Sequence, residues 1–150
     1  MNIDEELGQI FSSVLMEIVS TISGFSLDII PDSDESFDEM TGIMSLCDNN
    51  SRILFISAKE KDMRQLCSYM IGVPQEEISS DDVDDSLCEL VNMAAGSAKL
   101  RLSGSDCKFN LSSPFLLKGD NMRISGKKKT RIISKTLGNG DITIKIKIVY

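Results

Sequence analysis

"CELVNMAAGSAKLRL", residues 88 to 102, is the stretch that decides the fold. Its composition is that of a buried helix, yet Glu89 and Asn92 stand three residues apart on a face that burial does not explain. Upstream, "SSDDVDDSL" (79–87) supplies hydroxyl and carboxylate groups of the kind that cap a helix N-terminus and favour the positive end of its dipole. The helix is therefore predicted to run from this segment to about Leu102, with Gly104 closing it. At about 100° per residue, Val83, Leu87, Leu90, Val91, Ala94, Ala98 and Leu102 gather in one sector. Asp85, Glu89, Asn92, Gly96 and Lys99 fall opposite, each three or four positions from the next, and form one outward stripe. Gly96 in mid-helix costs about 1 kcal/mol relative to Ala. Close approach of another backbone, or packing within this protein, would account for it.

Outward from this helix the periodicity changes. Residues from about 4 to 22 repeat apolar side chains at helical spacing (Leu7, Ile10, Phe11, Val14, Leu15, Ile18, Val19, Ile22), and Gly24 is the expected stop. "FSLDII" (25–30) is expected to be a strand ending at Pro31, followed by the acidic loop "PDSDESFDEM" (31–40). "MTGIMSLC" (40–47) and "RILFIS" (52–57) flank the turn cluster "DNNS" and predict a β-hairpin. Ser57 is placed to cap a helix from about 59 to 71, which carries Met63, Leu66, Cys67 and Met70 on one face and stops at Gly72 and Pro74. Beyond the third helix, "CKFNL" (107–111), "NMRIS" (121–125), "KTRIISKT" (129–136) and "DITIKIKIVY" (141–150) read as strands. In the last of these, Ile142, Ile144, Ile146 and Ile148 alternate with polar residues; at a sheet edge this strand would pair with a second copy. The fold class is α+β, an antiparallel sheet with long helices packed on one face. No linker divides residues 1–150, which are expected to form one domain. The two halves share a helix-then-strands order without a clear repeat of sequence.

The bulk numbers exclude several functions. The chain has 150 residues, 41% hydrophobic and 26% charged, with a formal net charge of −7. A nucleic-acid binder needs a basic face; "SGKKKTR" (125–131) is short, lacks aromatics and reads as a solvated loop. There is no His, which removes Ser-His-Asp and Cys-His catalysis and most zinc and haem sites. Cys47, Cys67, Cys88 and Cys107 form no C-x-x-C pair; they read as small buried hydrophobes in a reduced protein that needs no disulfide to fold. The acidic N-terminus has no signal-peptide core, and no stretch approaches the roughly 18 apolar residues of a membrane span, so no membrane association and a cytoplasmic location are expected. The acidic loop lacks the ligand spacing of a known metal site, and a metal-dependent hydrolase built on Asp32 and Asp34 is the reading it leaves open.

"DSLCELVNMAAGSAKLRL" followed by "NLSSPFLLKGD" resembles the CheX/CheC/FliY family of chemotaxis phosphatases. The family motif is an acid or Ser, then E-x-x-N on a helix, with a Pro downstream; Asp85, Glu89, Asn92 and Pro114 match it, and Gly96 is also as expected. "DMRQLCSYMIG" (62–72) and "SVLMEIVSTISG" (13–24) look like the preceding and first helices of the family. Members of the CheC type carry a second E-x-x-N on the first helix. Here Glu17 is followed by Ser20, so a single intact site is more similar to CheX. The resemblance implies a phosphatase acting on the aspartyl phosphate of a CheY-like response-regulator receiver. It implies Asn92 holding the attacking water and Glu89 pairing with the receiver's active-site lysine. Asp85, Gly96 and Lys99 would complete the partner-binding face, the Mg²⁺ would belong to the receiver with no cofactor of this chain's own, and a homodimer is expected. A binding module of the same fold, docking a receiver or flagellar component without hydrolysis, is the alternative.

Overall fold

A computed structural model describes residues 2–32, 36–47, 50–105 and 109–150. The first helix, α1 (Ile3–Ser23), begins where Asn2 accepts from the backbone N–H of Glu5 (2.9 Å) and ends at Gly24, whose left-handed backbone (φ 77°) suits a residue without Cβ. Strands β1 (Asp28–Ile30), β2 (Met40–Cys47) and β3 (Arg52–Ala58) precede α2 (Glu60–Ile71). After a 3-10 turn over Gln75–Glu77 comes α3 (Ser80–Arg101), then β4 (Asn110–Leu111), β5 (Phe115–Lys118), β6 (Ile132–Gly138) and β7 (Thr143–Val149).

Among the described residues the seven strands form one sheet in the order β1-β6-β7-β3-β2-β4, with β5 also paired to β2, and every pairing is antiparallel. The order has an internal twofold. The hairpins β2–β3 and β6–β7 meet along β3 and β7; β1 flanks β6 as β4 and β5 flank β2. In chain order, α1 precedes the first set of strands as α3 precedes the second.

Alternation in the strands sends one set of side chains to the helices. Met40, Met44, Leu46, Leu54, Ile56, Ala58, Leu137, Ile144, Ile146 and Ile148 join Leu7, Phe11, Leu15, Leu66, Leu87, Leu90 and Val91 in one buried core. The α+β class with three helices over one face of the sheet is as read from the sequence. Across the sheet, Phe37 stacks on Phe55 (centroids 5.4 Å apart), and Lys145 pairs with Asp38 (3.7 Å) and donates to the Ser36 carbonyl (3.1 Å). In the first turn of α2, Asp62 accepts from the backbone N–H of Thr143 (3.1 Å), tying helix to hairpin; burial holds its carboxyl above the usual range. Among the described residues no helix is long and apolar enough to cross a membrane.

Several expectations need correction. The terminal strand β7 is interior, hydrogen-bonded on both sides by β6 and β3, so it offers no edge to a second copy. Ser57 does not cap α2; it is buried in β3, where its hydroxyl receives the N–H of Asp38 (2.8 Å), and the Glu39 carboxylate caps the N–H of Glu60 instead (2.7 Å). Gly104 does not close α3, whose C-cap is Leu102. Cys47 is exposed rather than buried, since it ends β2 with its side chain off the core. "NMRIS" contributes a lone bridge from Arg123 to Ser36 and no strand, while "FLLK", embedded in the Pro114 segment, is β5. "FSLDII" shortens to Asp28–Ile30, and "KTRIISKT" shifts to Ile132–Gly138. Asp48 and Asn49 of the hairpin turn, Asp34 of the acidic loop, and Cys107 lie outside the described residues.

Helix α3 packs closely on Gly42 of β2. A Cβ built there would stand 2.6 Å from Cγ2 of Val91 and 3.5 Å from Cγ of Leu87. Val91 is β-branched and cannot swing aside cheaply. Gly42→Ala is expected to destabilise the protein by about 1–3 kcal/mol through overpacking. Adding Val91→Ala should recover part of that loss, and a denaturant double-mutant cycle measures the coupling.

Candidate functional site

The candidate site is one face of α3. The helix starts with a full capping box: the N–H of Asp82 donates to Ser79 Oγ (3.1 Å), and the N–H of Ser79 donates to Asp82 Oδ2 (3.0 Å). Val83, Ser86, Leu87, Leu90, Val91, Ala94, Ala95 and Ala98 are buried against the sheet and the other helices, which includes every in-helix apolar position assigned from periodicity. Because that face is fixed, so is the opposite one. Asp85, Glu89, Asn92 and Lys99 are exposed, and Gly96 is half-buried between them. Nothing lies within 4 Å of a Cβ built on Gly96, so packing within the protein does not require glycine there.

Neither Glu89 nor Asn92 makes a hydrogen bond or ion pair with another described residue. Their neighbour Asp84, one position off the stripe, pairs with Lys118 of β5 (2.6 Å) and ties α3 to that strand. Half-buried Cys88 lies beside the stripe; burial, and then the charges of Asp85 and Asp84, push its thiol up. What the face presents is an unpaired carboxylate, an unpaired amide one turn away, and open backbone at Gly96. An amide can accept from one group and donate to another at once, which suits it to holding a water molecule.

The other residues singled out in the sequence lie elsewhere. Pro114 stands in the link between β4 and β5, anchored to β2 where the N–H of Ser45 donates to Ser112 Oγ (2.9 Å). Asp32 accepts a hydrogen bond from the hydroxyl of Thr136. Among the described residues no group of three or more His, Cys, Asp or Glu could hold a metal ion. Residues 125–129 are exposed and outside any strand.

One contact of the first helix had no signal of its own in the sequence. On α1, Ser13, Glu17 and Ser20 are exposed at the same four- and three-residue spacing as Asp85, Glu89 and Asn92. Glu17, unlike Glu89, is occupied: Arg101, in the last turn of α3, binds its carboxylate and donates to Ser13 Oγ (3.0 Å). The spacing was legible; the arginine that reaches across from another helix was not.

The family described as Chemotaxis phosphatase CheX matches residues 40–137. Similar solved structures include the chemotaxis protein CheX of Vibrio vulnificus, at 21% identity and a TM-score of 0.82 over 99% of this chain and 98% of that one. A CheC-like superfamily protein of Shewanella sp. PV-4 is similar at 23% identity and a TM-score of 0.79, over 99% and 98% of the two chains. A CheX from Borrelia burgdorferi, solved as a CheX-CheY-BeF3-Mg complex, is similar at 14% identity and a TM-score of 0.72, over 94% and 96%. A search among curated proteins finds none that matches.

The open space at Gly96 generates a stability prediction. Gly96→Ala replaces a poor helix former by the best one with no clash, and is expected to raise stability by roughly 0.5–1 kcal/mol in thermal or denaturant unfolding of the isolated chain.

Proposed function

Because the chain belongs to the chemotaxis phosphatase CheX family, we propose that it hydrolyses the aspartyl phosphate of a CheY-like receiver through the exposed face of α3. The observation that carries this reading is the pairing of an unengaged Glu89 with an unengaged Asn92 on a helix face whose opposite side is wholly buried. The CheX-CheY-BeF3-Mg complex of the similar Borrelia burgdorferi protein supports a CheY-like partner. The open backbone at Gly96 supports close approach by that partner.

Phosphoryl transfer requires positioning and charge stabilisation more than covalent chemistry. The receiver supplies the phosphorylated aspartate and the Mg²⁺; this chain supplies no cofactor. Asn92 holds a water in line with the leaving oxygen. The water oxygen attacks phosphorus, the bond from phosphorus to the aspartyl oxygen breaks, inorganic phosphate leaves, and the receiver's carboxylate is restored. Glu89 anchors the complex by pairing with the receiver's active-site lysine. It is poorly suited to act as the base, since its charge would lie beside an anionic phosphate. Asp85 and Lys99 flank the contact.

A second reading is favoured by the engaged Glu17: with one of the two matching stripes shut, the fold serves as a docking module that hydrolyses nothing. Release of phosphate from a phosphorylated receiver separates the two. Asn92→Ala is expected to keep fold and receiver binding while lowering release by about 100-fold or more. Glu89→Ala should lower turnover through weaker docking, with partial recovery at high receiver concentration. Gly96→Ala should weaken docking although it stabilises the free chain. Wild-type release by Asn92→Ala would leave the docking module as the function.

The assembly is proposed to be a homodimer, formed through the outer edges of the sheet, β1 or β4 and β5, rather than β7. Exposed Phe115 and Leu117 on β5 support that edge as the seam. Light scattering at tens of micromolar should give twice the chain mass; a monomer mass refutes it.

A further inference from the structure

Resting on the function just proposed, we infer that the docking face of α3 continues past Gly96 into an apolar groove between α1 and α3, where an uncharged, apolar side chain of the receiver seats against Leu100. The outward stripe of α3 ends at Lys99 and, Gly96 apart, is wholly polar. Helix geometry gives it a second flank. Taking Glu89 as the reference, about 100° per residue sets Gly96, Asn92 and Lys99 about 20°, 60° and 80° to one side, and Leu100 and Met93 about 20° and 40° to the other. Glu89 therefore stands between an amide flank and an apolar flank. Leu100 is 76% exposed, the highest value for a large hydrophobic residue among the described ones. Met93 is half-buried.

A single exposed leucine needs no explanation by itself; what sets Leu100 apart is its surroundings. A groove of about 310 Å³ runs between the two helices, with Val14, Ile18 and Ile22 of α1 on one side and Met93 and Leu100 of α3 on the other. The charged groups that line it, Glu17 and Arg101, are spent on each other. The groove thus offers no free charge to a polar occupant and selects an aliphatic or aromatic side chain. Leu100 and Met93 belong both to this groove and to the face that carries Glu89. At 1.5 Å of rise per residue, Leu100 lies about 6 Å along the helix from Gly96 and about 12 Å from Asn92, inside the footprint of a standard protein interface. A body that touches both Glu89 and Asn92 covers Leu100 as well. With nothing within 4 Å of a Cβ built on Gly96, the backbone there leaves a saddle by which a side chain reaches the groove. The sheet edges proposed for the dimer belong to other elements, so a second copy has no claim on this groove. Covering the apolar flank also expels water from beside Glu89, and a carboxylate paired with a lysine gains from the lower dielectric.

Substitution of Leu100 tests this. Leu100→Ser removes the apolar contact and Leu100→Met keeps it; the side chain is exposed, so both variants should melt like the wild type. The probe is a CheY-type receiver from the same genome, loaded with Mg²⁺ and beryllium fluoride for binding and phosphorylated with acetyl phosphate for turnover. Leu100→Ser is expected to weaken binding about tenfold. It should raise the KM for phosphate release by a similar factor and keep kcat at saturating receiver, because uniform binding is lost and the attacking water is not. Leu100→Met should restore both. A serine variant that binds like the wild type overturns the inference, as does a kcat that falls while KM holds, or a methionine variant as weak as the serine one. A serine variant that halves the wild-type mass in light scattering also overturns it, since the groove would then belong to a second copy. Binding keeps the two readings apart. A wild type that binds the loaded receiver without releasing phosphate sinks the phosphatase reading alone, and the Leu100 comparison still decides on the groove. Wild-type release with binding unchanged by Leu100→Ser sinks the groove alone. A wild type that binds no receiver sinks both.

Discussion

The close seat of α3 on β2 is the contact on which the rest of the molecule depends. Gly42 leaves a slot in the sheet, and Val91 fills it with Leu87 beside it. A helix held at one depth and one rotation by a stiff β-branched side chain has only one face left for solvent. The capping box at Ser79 and the ion pair from Asp84 to Lys118 fix the same helix at its N-terminal end. The outward stripe is a consequence of these inward contacts: Glu89 and Asn92 face outward because Leu90 and Val91 are buried.

The exposed face of α3 was legible in the sequence because every feature of it is local. Burial at helical spacing, a cap, and two polar residues three apart can all be read along one segment, and the structure buries each apolar residue assigned to that segment. Strand order was not legible. The alternating isoleucines of β7 announce a strand with one buried face, but the same alternation fits an edge and a centre, and only pairing with both β3 and β6 distinguishes them. Ser57 misled for a related reason. A Ser shortly before a helix is a good cap by propensity, yet the hydroxyl of Ser57 was already taken by the backbone of the segment that crosses the sheet, and Glu39, distant in sequence, supplied the cap. Arg101 on Glu17 is the same lesson at the surface: a long side chain joins two helices whose partnership no local pattern records.

The face of α3 is also set against stability. Gly96 weakens the helix it sits in and touches nothing in its own chain, while an alanine would fit. A carboxylate and an amide left without partners forgo the bonds they could make at home. Helix α1, whose equivalent carboxylate is engaged and whose equivalent glycine serves as a stop, is the conventional version of the same element. Local rules are broken on one of two matching helices, and that asymmetry sets the face of α3 apart.

The central position of β7 has a consequence for how the chain is made. β3 meets β7 from Ile53 opposite Val149 to Ala58 opposite Ile144, so the seam joining the halves pairs residues far apart in sequence. Until β7 leaves the ribosome, β3 has one open side and the apolar residues beneath it lack half their cover. Closure of so long a loop is entropically costly and slow. A chain in which β3 has formed and β7 has not therefore presents an unzipped strand edge, the kind of species that is prone to misassociation.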